Sequence, residues 1–240
     1  MTQNPNKALI VFSGGQDSTT CLAWALKHYD EVHTIGFTYG QVHTVEMQCR
    51  KRILASIEAL LNTSTLRSDR VLPLTALAAL DESALTRGGE FEINEENGLP
   101  TSFVPGRNLI FFTVAAAHAY NIGADTIISG VGEADYSGYP DCREATLAAL
   151  ENAISLGLDR KIALLRPLMH RTKEQTWELA YETGGMPLVE FIARESHTCY
   201  HGDRTELHPW GYGCGRCPAC VLRKAGFEKF LALCGEKRLS

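Results

Sequence analysis

The sequence predicts an α/β fold, a doubly wound parallel sheet followed by a small cysteine-rich C-terminal module. Three observations carry this reading. Short apolar runs alternate with stretches of helical periodicity, as when crossover helices join parallel strands. A glycine-rich turn follows the first apolar run directly, where such sheets place their ligands. After Glu195 the composition shifts to Cys, His, Gly and Pro.

Residues 7–12 (KALIVF) form the first predicted strand and 17–27 the first helix, with Leu22, Ala23, Ala25 and Leu26 along one side. Residues 31–39 read as a strand ending at Gly40, 43–61 as a long helix and 71–74 as a short strand. The span 85–106 is rich in Gly, Glu, Asn and Pro and has little periodicity, so it reads as a long functional or mobile loop. Residues 108–121 are apolar nearly all round and predict a buried helix. A strand at 126–129, a loop at 130–139, a helix at 142–156, a strand at 162–165 and a helix at 172–183 follow, the last stopped by Gly184-Gly185. The expected division is an α/β domain over 1–194 and a module over 195–240, closed by a helix at 223–233.

With 240 residues, 45% hydrophobic and 21% charged, the chain can build a substantial core and is not disordered over most of its length. A formal net charge of −5 argues against a general nucleic-acid binder. No stretch approaches the about 20 apolar residues that span a bilayer. The start lacks the charged and apolar segments of a signal peptide, so a cytoplasmic protein is expected. Eight cysteines in such a chain point to metal binding or catalysis rather than disulfides.

The turn Ser13-Gly14-Gly15-Gln16-Asp17-Ser18-Thr19 stands between the first strand and the first helix. Glycines let the backbone approach an anion, and the helix's first amides point at it. Ser13, Ser18 and Thr19 add hydroxyls, and Asp17 suits a Mg²⁺ bridging carboxylate and phosphate oxygens. The turn is neither a Walker A motif nor G-x-G-x-x-G. The competing reading is a plain Gly-Gly turn with a Ser/Asp cap.

The string SGGQDST resembles the pyrophosphate-binding loop of N-type ATP pyrophosphatases, which adenylate a substrate and release pyrophosphate. Across residues 8–227 the chain resembles the 7-cyano-7-deazaguanine synthase family of the queuosine pathway. FSGGQDSTTCL at 12–22, YGQ at 39–41, VPGRN at 104–108, GYPDCR at 138–143 and the terminal cysteines carry the likeness. It implies an adenine nucleotide alpha-hydrolase-like domain and a ligase forming a C–N bond. In that reaction, ATP adenylates 7-carboxy-7-deazaguanine, ammonia forms the amide, and a second adenylation leads to the nitrile. It implies nucleotide binding by Phe12, Ser13, Gly14, Gly15, Gln16, Asp17, Ser18, Thr19, Thr20, Cys21 and Leu22. It also implies a homodimer; with no glutaminase domain, free ammonia is expected, and the charge and hydropathy predict neither a nucleic-acid nor a membrane partner.

Arg107, at a helix start where a cation is unfavourable, can clamp a carboxylate or phosphate. Lys173, in the first turn of another helix, can reach the α-phosphate, and a solvated lysine is the alternative. These two and Asp17 are the expected catalytic residues. In the loop after the strand at 126–129, Glu133, Asp135 and Asp141 can pair with a guanine-like ring, and Tyr136 and Tyr139 can stack on it. An acidic solvated loop is the alternative. His43 and Glu46 are either a proton-transfer pair that fixes ammonia or a structural pair.

Cys214, Cys217 and Cys220 are three thiolates at two-residue separations, and Cys199 offers a fourth, the pattern of a tetrahedral structural Zn²⁺ site. The fourteen residues between Cys199 and Cys214 exceed the gap expected in the family, so His197 and His208 stand as alternative ligands. Cys21, Cys49 and Cys234 read as small core or helix-face residues, and Cys142 as an outside candidate for a reactive thiol. Two further readings remain open: a tRNA thiolase on the same loop, and a zinc-ribbon regulator that binds nucleic acid and senses ATP.

Overall fold

The computed structural model describes residues 6–80, 83–133 and 138–237. Its centre is a five-stranded parallel sheet in the order β3-β2-β1-β4-β5. The strands are β1 (Lys7–Val11), β2 (Glu31–Thr38), β3 (Leu66–Pro73), β4 (Thr126–Ser129) and β5 (Ala163–Leu165). The three inner strands β1, β2 and β4 are largely buried on both faces, which is why they read as near-continuous apolar runs. In β1 the side chains of Ala8 and Ile10 go to one apolar cluster and Leu9 to the other.

α1 (Gln16–His28), α2 (Val45–Leu61), α7 (Lys173–Glu195) and α8 (Pro218–Lys237) cover the first face. α5 (Arg107–Ile122) and α6 (Glu144–Gly157) cover the second. The doubly wound fold is therefore as expected. β3 begins five residues before the expected strand because its first half, LRSDR, is polar. It is an edge strand, and edge strands carry exposed charge.

The span 85–106 is less bare than its composition suggests. α3 (Thr75–Leu80) precedes it, the short α4 (Ala84–Arg87) opens it, and a bridge pairs Ile93 with Pro100. α5 is not buried all round: Ile110 and Tyr120 reach solvent. Before α6, a 3-10 turn occupies Pro140–Cys142.

α7 starts at a capping box, with Thr172 N–H donating to Gln175 Oε1 at 2.9 Å. The expected stop at Gly184 and Gly185 is a kink, and the helix resumes through Pro187, which stands near the start of the second half. The C-terminal segment adds a small antiparallel ladder, β6 (Leu207–His208) with β7 (Gly211–Tyr212), and then α8. Its Trp210, Phe227 and Phe230 share one buried cluster with Trp177 of α7 and Leu22 of α1.

Among the described residues, Arg223, buried there, has no carboxylate partner. It donates to the carbonyls of Trp210, Ile192 and Ala193 and to Thr198 Oγ1, at 2.8–3.3 Å, and burial lowers its pKa to about 10. Among the described residues no helix is long and apolar enough to cross a membrane.

Candidate active site

The site forms where the winding of the sheet reverses. β1 lies between β2 and β4, with Val11 level with Ser129. The chain leaves β1 toward α1 on one face and reaches β4 from α5 on the other. The two connections diverge and open a crevice at the C-terminal strand ends. A cavity of about 310 Å³ occupies it.

The glycine loop makes the cavity floor. Gly14 sits at φ +95°, and an added Cβ would lie 2.6 Å from the Glu46 carbonyl oxygen. A Cβ on Gly130, after β4, would lie 2.8 Å from backbone atoms of Asp17 and Ser18. The backbone of α2 thus closes on the loop at Gly14, and the chain after β4 closes on α1's first turn at Gly130, each with no room for a side chain. Ser18 Oγ accepts the amides of Ser13 and Gly14, both at 3.3 Å, and Gly15 N–H donates to Ser13 Oγ at 3.1 Å. These hydroxyls hold the loop's shape at the edge of the cavity.

Phe12, Ser13, Gly15, Gln16, Asp17 and Ser18 line the cavity; Thr19, Thr20, Cys21 and Leu22 do not. A helix turns once per 3.6 residues, so only its first turn faces the loop. Thr19 and Thr20 hydroxyls donate to the carbonyls of Gly15 and Gln16 at 2.6 and 3.1 Å. Cys21 donates to the Ser129 carbonyl at 3.6 Å, and burial raises its thiol pKa. Leu22 lies in the core.

Asp17 receives Lys173, whose Nζ stands 2.9 and 2.8 Å from its two carboxylate oxygens. On the opposite wall, Arg107 opens α5. Its Nη1 donates to Tyr39 Oη at 3.2 Å, and its guanidinium lies 5.7 and 5.8 Å from the ring centroids of Tyr39 and Tyr139. Burial opposes its charge, but Tyr39, Tyr139 and Asp141 together outweigh burial and raise its pKa.

The loop after β4 divides. Tyr139 lines the cavity and its hydroxyl meets Ser102 Oγ at 2.6 Å. Asp141 and Glu133 do not line it. Buried Asp141 accepts the Asn108 amide at 2.9 Å, so it caps α5 and holds the Arg107 turn. Glu133 accepts the Glu144 amide at 3.1 Å and caps α6. Asp135 and Tyr136 lie outside the described residues. Cys142 is buried against Asn108 Nδ2 at 3.2 Å.

Three polar groups of the wall matter more than their sequence signals suggest. Gln16 and His197 are buried, and the described structure offers no hydrogen-bond partner to either polar side-chain atom of each. Both line the cavity, so both are free for a polar ligand. His197 is reached through the fold, since its amide donates to the Gly14 carbonyl at 3.2 Å, and burial lowers its ring pKa to about 4. Glu46, in the first turn of α2, is the third. Burial raises its carboxyl pKa to about 7, with Arg107 pulling it down and Asp17 pushing it up.

Next to the cavity, the sulfurs of Cys199, Cys214, Cys217 and Cys220 all lie within 4.8 Å of one another and could hold a metal ion. The Cys199 and Cys217 sulfurs are 4.0 Å apart, near the edge of a tetrahedron with about 2.3 Å metal–sulfur bonds. Amides of Cys214 and Cys217 point at the sulfurs of Cys199 and Cys214, at 3.5 and 3.4 Å. His208 instead stacks on Trp210 and bonds the Gly213 carbonyl at 3.1 Å, so the long gap folds into the β6–β7 ladder rather than replacing Cys199.

Comparison with known proteins agrees with this geometry. The chain is 54% identical over 232 residues to a 7-cyano-7-deazaguanine synthase of Parvibaculum lavamentivorans, covering 96% of this chain and 98% of that one. It is 51% identical to the 7-cyano-7-deazaguanine synthase of Gluconobacter oxydans and 50% to that of Burkholderia multivorans, each over 96% of this chain and at least 95% of the relative. A solved 4-thiouridine synthetase in complex with RNA and ATP shares the fold, with a TM-score of 0.51 at 18% identity. That match covers 93% of this chain and 53% of the synthetase. The family model of the queuosine biosynthesis protein QueC matches residues 7–231, and the chain belongs to that family.

Proposed function

We propose that this protein converts 7-carboxy-7-deazaguanine and ammonia to 7-cyano-7-deazaguanine, using ATP to adenylate first the acid and then the amide. The observation that carries this reading is the joint opening of the glycine loop, Asp17, Arg107 and Tyr139 into one cavity, with Lys173 paired to Asp17 at 2.8 Å. Carboxylate and amide oxygens are poor leaving groups, and an adenylate of either is a good one. The protein's part is to position and to stabilise charge.

The first-turn amides of α1, at the positive end of its dipole, suit the ATP phosphates. Asp17 is the carboxylate to hold Mg²⁺, which supplies charge neutralisation at phosphate oxygens. Lys173, paired with Asp17, would then offer positive charge as negative charge develops at the α-phosphate. Arg107, which lines the cavity, suits the substrate carboxylate with its fork of donors, and Tyr139 suits the deazapurine ring face. Zn²⁺ suits the four cysteines, and four thiolates leave no open position, so such a metal fastens the C-terminal segment rather than activating water.

The thiolase reading requires a reactive cysteine near ATP. Among the described residues the cysteine lining the cavity is Cys199, which belongs to the four-sulfur cluster. The regulator reading treats the cluster as an independent ribbon, whereas residues 197–200 are part of the cavity wall. Mass spectrometry of products from 7-carboxy-7-deazaguanine, ATP and ammonium tests the proposal. A nitrile with AMP and pyrophosphate is expected; a thiolated nucleoside from added tRNA, or no turnover, would overturn it.

A further inference from the structure

Among the described residues, two acidic side chains line the cavity, Asp17 and Glu46. They are differently placed. Asp17 is held by Lys173 through both oxygens. Glu46 has neither a hydrogen bond nor an ion pair within the described residues, and its carboxylate faces the cavity. Its backbone carbonyl packs on Gly14, and its Oε1 would be 3.7 Å from a Cβ placed on Gly15. The carboxylate is thus held over the glycine loop. His43, three residues earlier, also lines the cavity and packs against Gly202, where an added Cβ would lie 2.8 Å from the imidazole ring.

Resting on the function proposed above, we infer that Glu46 is the site that binds ammonium, takes its proton, and later accepts protons from the same nitrogen as the nitrile forms. The chemistry demands such a group. Near neutral pH the nitrogen source is almost all ammonium, which has no lone pair. It needs an anion to attract it and a base to deprotonate it. A carboxyl pushed up to about 7 by burial is matched to both tasks at neutral pH. Burial sets that balance first, with Arg107 from α5 pulling it down and Asp17 from α1 pushing it up, and Tyr39 after β2 and Cys49 on α2 stand close enough to feel the Glu46 charge.

Each step balances. Glu46 accepts one proton, leaving ammonia. The nitrogen lone pair forms the C–N bond to the acyl carbon, the C–O bond to AMP breaks with its electron pair, and the nitrogen loses its surplus proton. In the second round the amide oxygen forms a bond to the α-phosphorus and pyrophosphate leaves. The nitrogen lone pair makes the first π bond to carbon as the oxygen is adenylated; the nitrogen then gives up its two protons, one N–H pair becoming the second π bond and the other the nitrile lone pair, and AMP departs with the C–O pair. Nitrogen loses a proton at every stage, and one base beside it can serve them all.

Glu46→Gln tests this, since it keeps the shape and removes the base. Pyrophosphate exchange into ATP, driven by 7-carboxy-7-deazaguanine without ammonium, is expected to stay within about threefold of wild type, because that step moves no proton on nitrogen. Nitrile formation near neutral pH is expected to fall ~10²–10⁴-fold. It should recover about tenfold per pH unit as free ammonia rises. Hydroxylamine, a neutral nucleophile near pH 7, should still give hydroxamate within about threefold of the wild-type rate, because it needs no deprotonation to attack. Loss of exchange together with nitrile would make Glu46 a nucleotide or Mg²⁺ ligand and overturn the inference. So would wild-type nitrile formation by the variant, or an equal loss with hydroxylamine. A wild-type protein that shows no exchange with the acid would instead remove the proposed function itself.

Discussion

Lys173 Nζ bridges both carboxylate oxygens of Asp17, at 2.9 and 2.8 Å, and so ties the first turn of α7 to the first turn of α1. Each residue alone is a poor choice for its place. A cation at a helix start opposes the dipole, and an anion at a phosphate loop repels the ligand. Together they cancel, and each becomes available when a metal or phosphate enters. Lys173→Met and Asp17→Asn are each expected to slow acid-dependent pyrophosphate exchange by ~10²–10³-fold. The double variant should lose less than the product of the two, because each single change leaves one charge without its partner. Rates for the four proteins check this directly, and simple multiplicativity would refute the coupling.

Gly130 tests how closely the two backbones approach. An alanine Cβ there would lie 2.8 Å from Asp17 C and Ser18 N, which are backbone atoms and cannot rotate away. Gly130→Ala is expected to raise the KM for ATP at least tenfold with a loss of about 1–3 kcal/mol in stability. Gly138→Ala is the contrast. That glycine has open space around it but a φ of +63°, so it should cost only about 1 kcal/mol and leave the KM for ATP alone. Denaturant melts and ATP titrations separate the two.

Much of this site was legible because local chemistry and position coincided. The loop 13–18 follows a buried strand, and any doubly wound sheet offers that place to a ligand. Arg107 and Lys173 showed themselves by standing at helix starts where cations need a reason. Asp141 and Glu133 look in sequence like ligands for a ring, yet their carboxylates cap α5 and α6. Sequence cannot separate those roles, because both place an acid before a helix. Gln16 and His197 meet in the wall only through the contact of residue 197 with Gly14, a separation of 183 residues that no periodicity encodes.

The four cysteines stand in the same buried cluster as Trp177, Trp210, Phe227 and Phe230, so a metal there stabilises the shared core. The purified protein is expected to carry about one zinc per chain by elemental mass spectrometry. Stripping it with a chelator, or Cys217→Ser, should lower the Tm by on the order of 10 °C. Cys234→Ser, in a half-buried thiol outside the cluster, should shift it by no more than about 3 °C. A full Tm with no bound metal would refute the site.

Glu46 also predicts how stability depends on pH. Its carboxyl titrates near 4.5 when unfolded and at about 7 when folded, raised by burial. Between those values the folded protein holds a proton that the unfolded chain has lost. The stability this group contributes is therefore fully present below about pH 4.5 and is lost as pH rises through about 7. Replacing it with a neutral glutamine of the same shape removes the penalty of the buried charge. Glu46→Gln should be more stable than wild type by on the order of 2 kcal/mol near pH 8, the half-buried carboxylate keeping part of its hydration, with little difference near pH 5. Urea melts at the two pH values check this, and a variant no more stable than wild type near pH 8 would mean that the carboxylate is not desolvated in the folded protein.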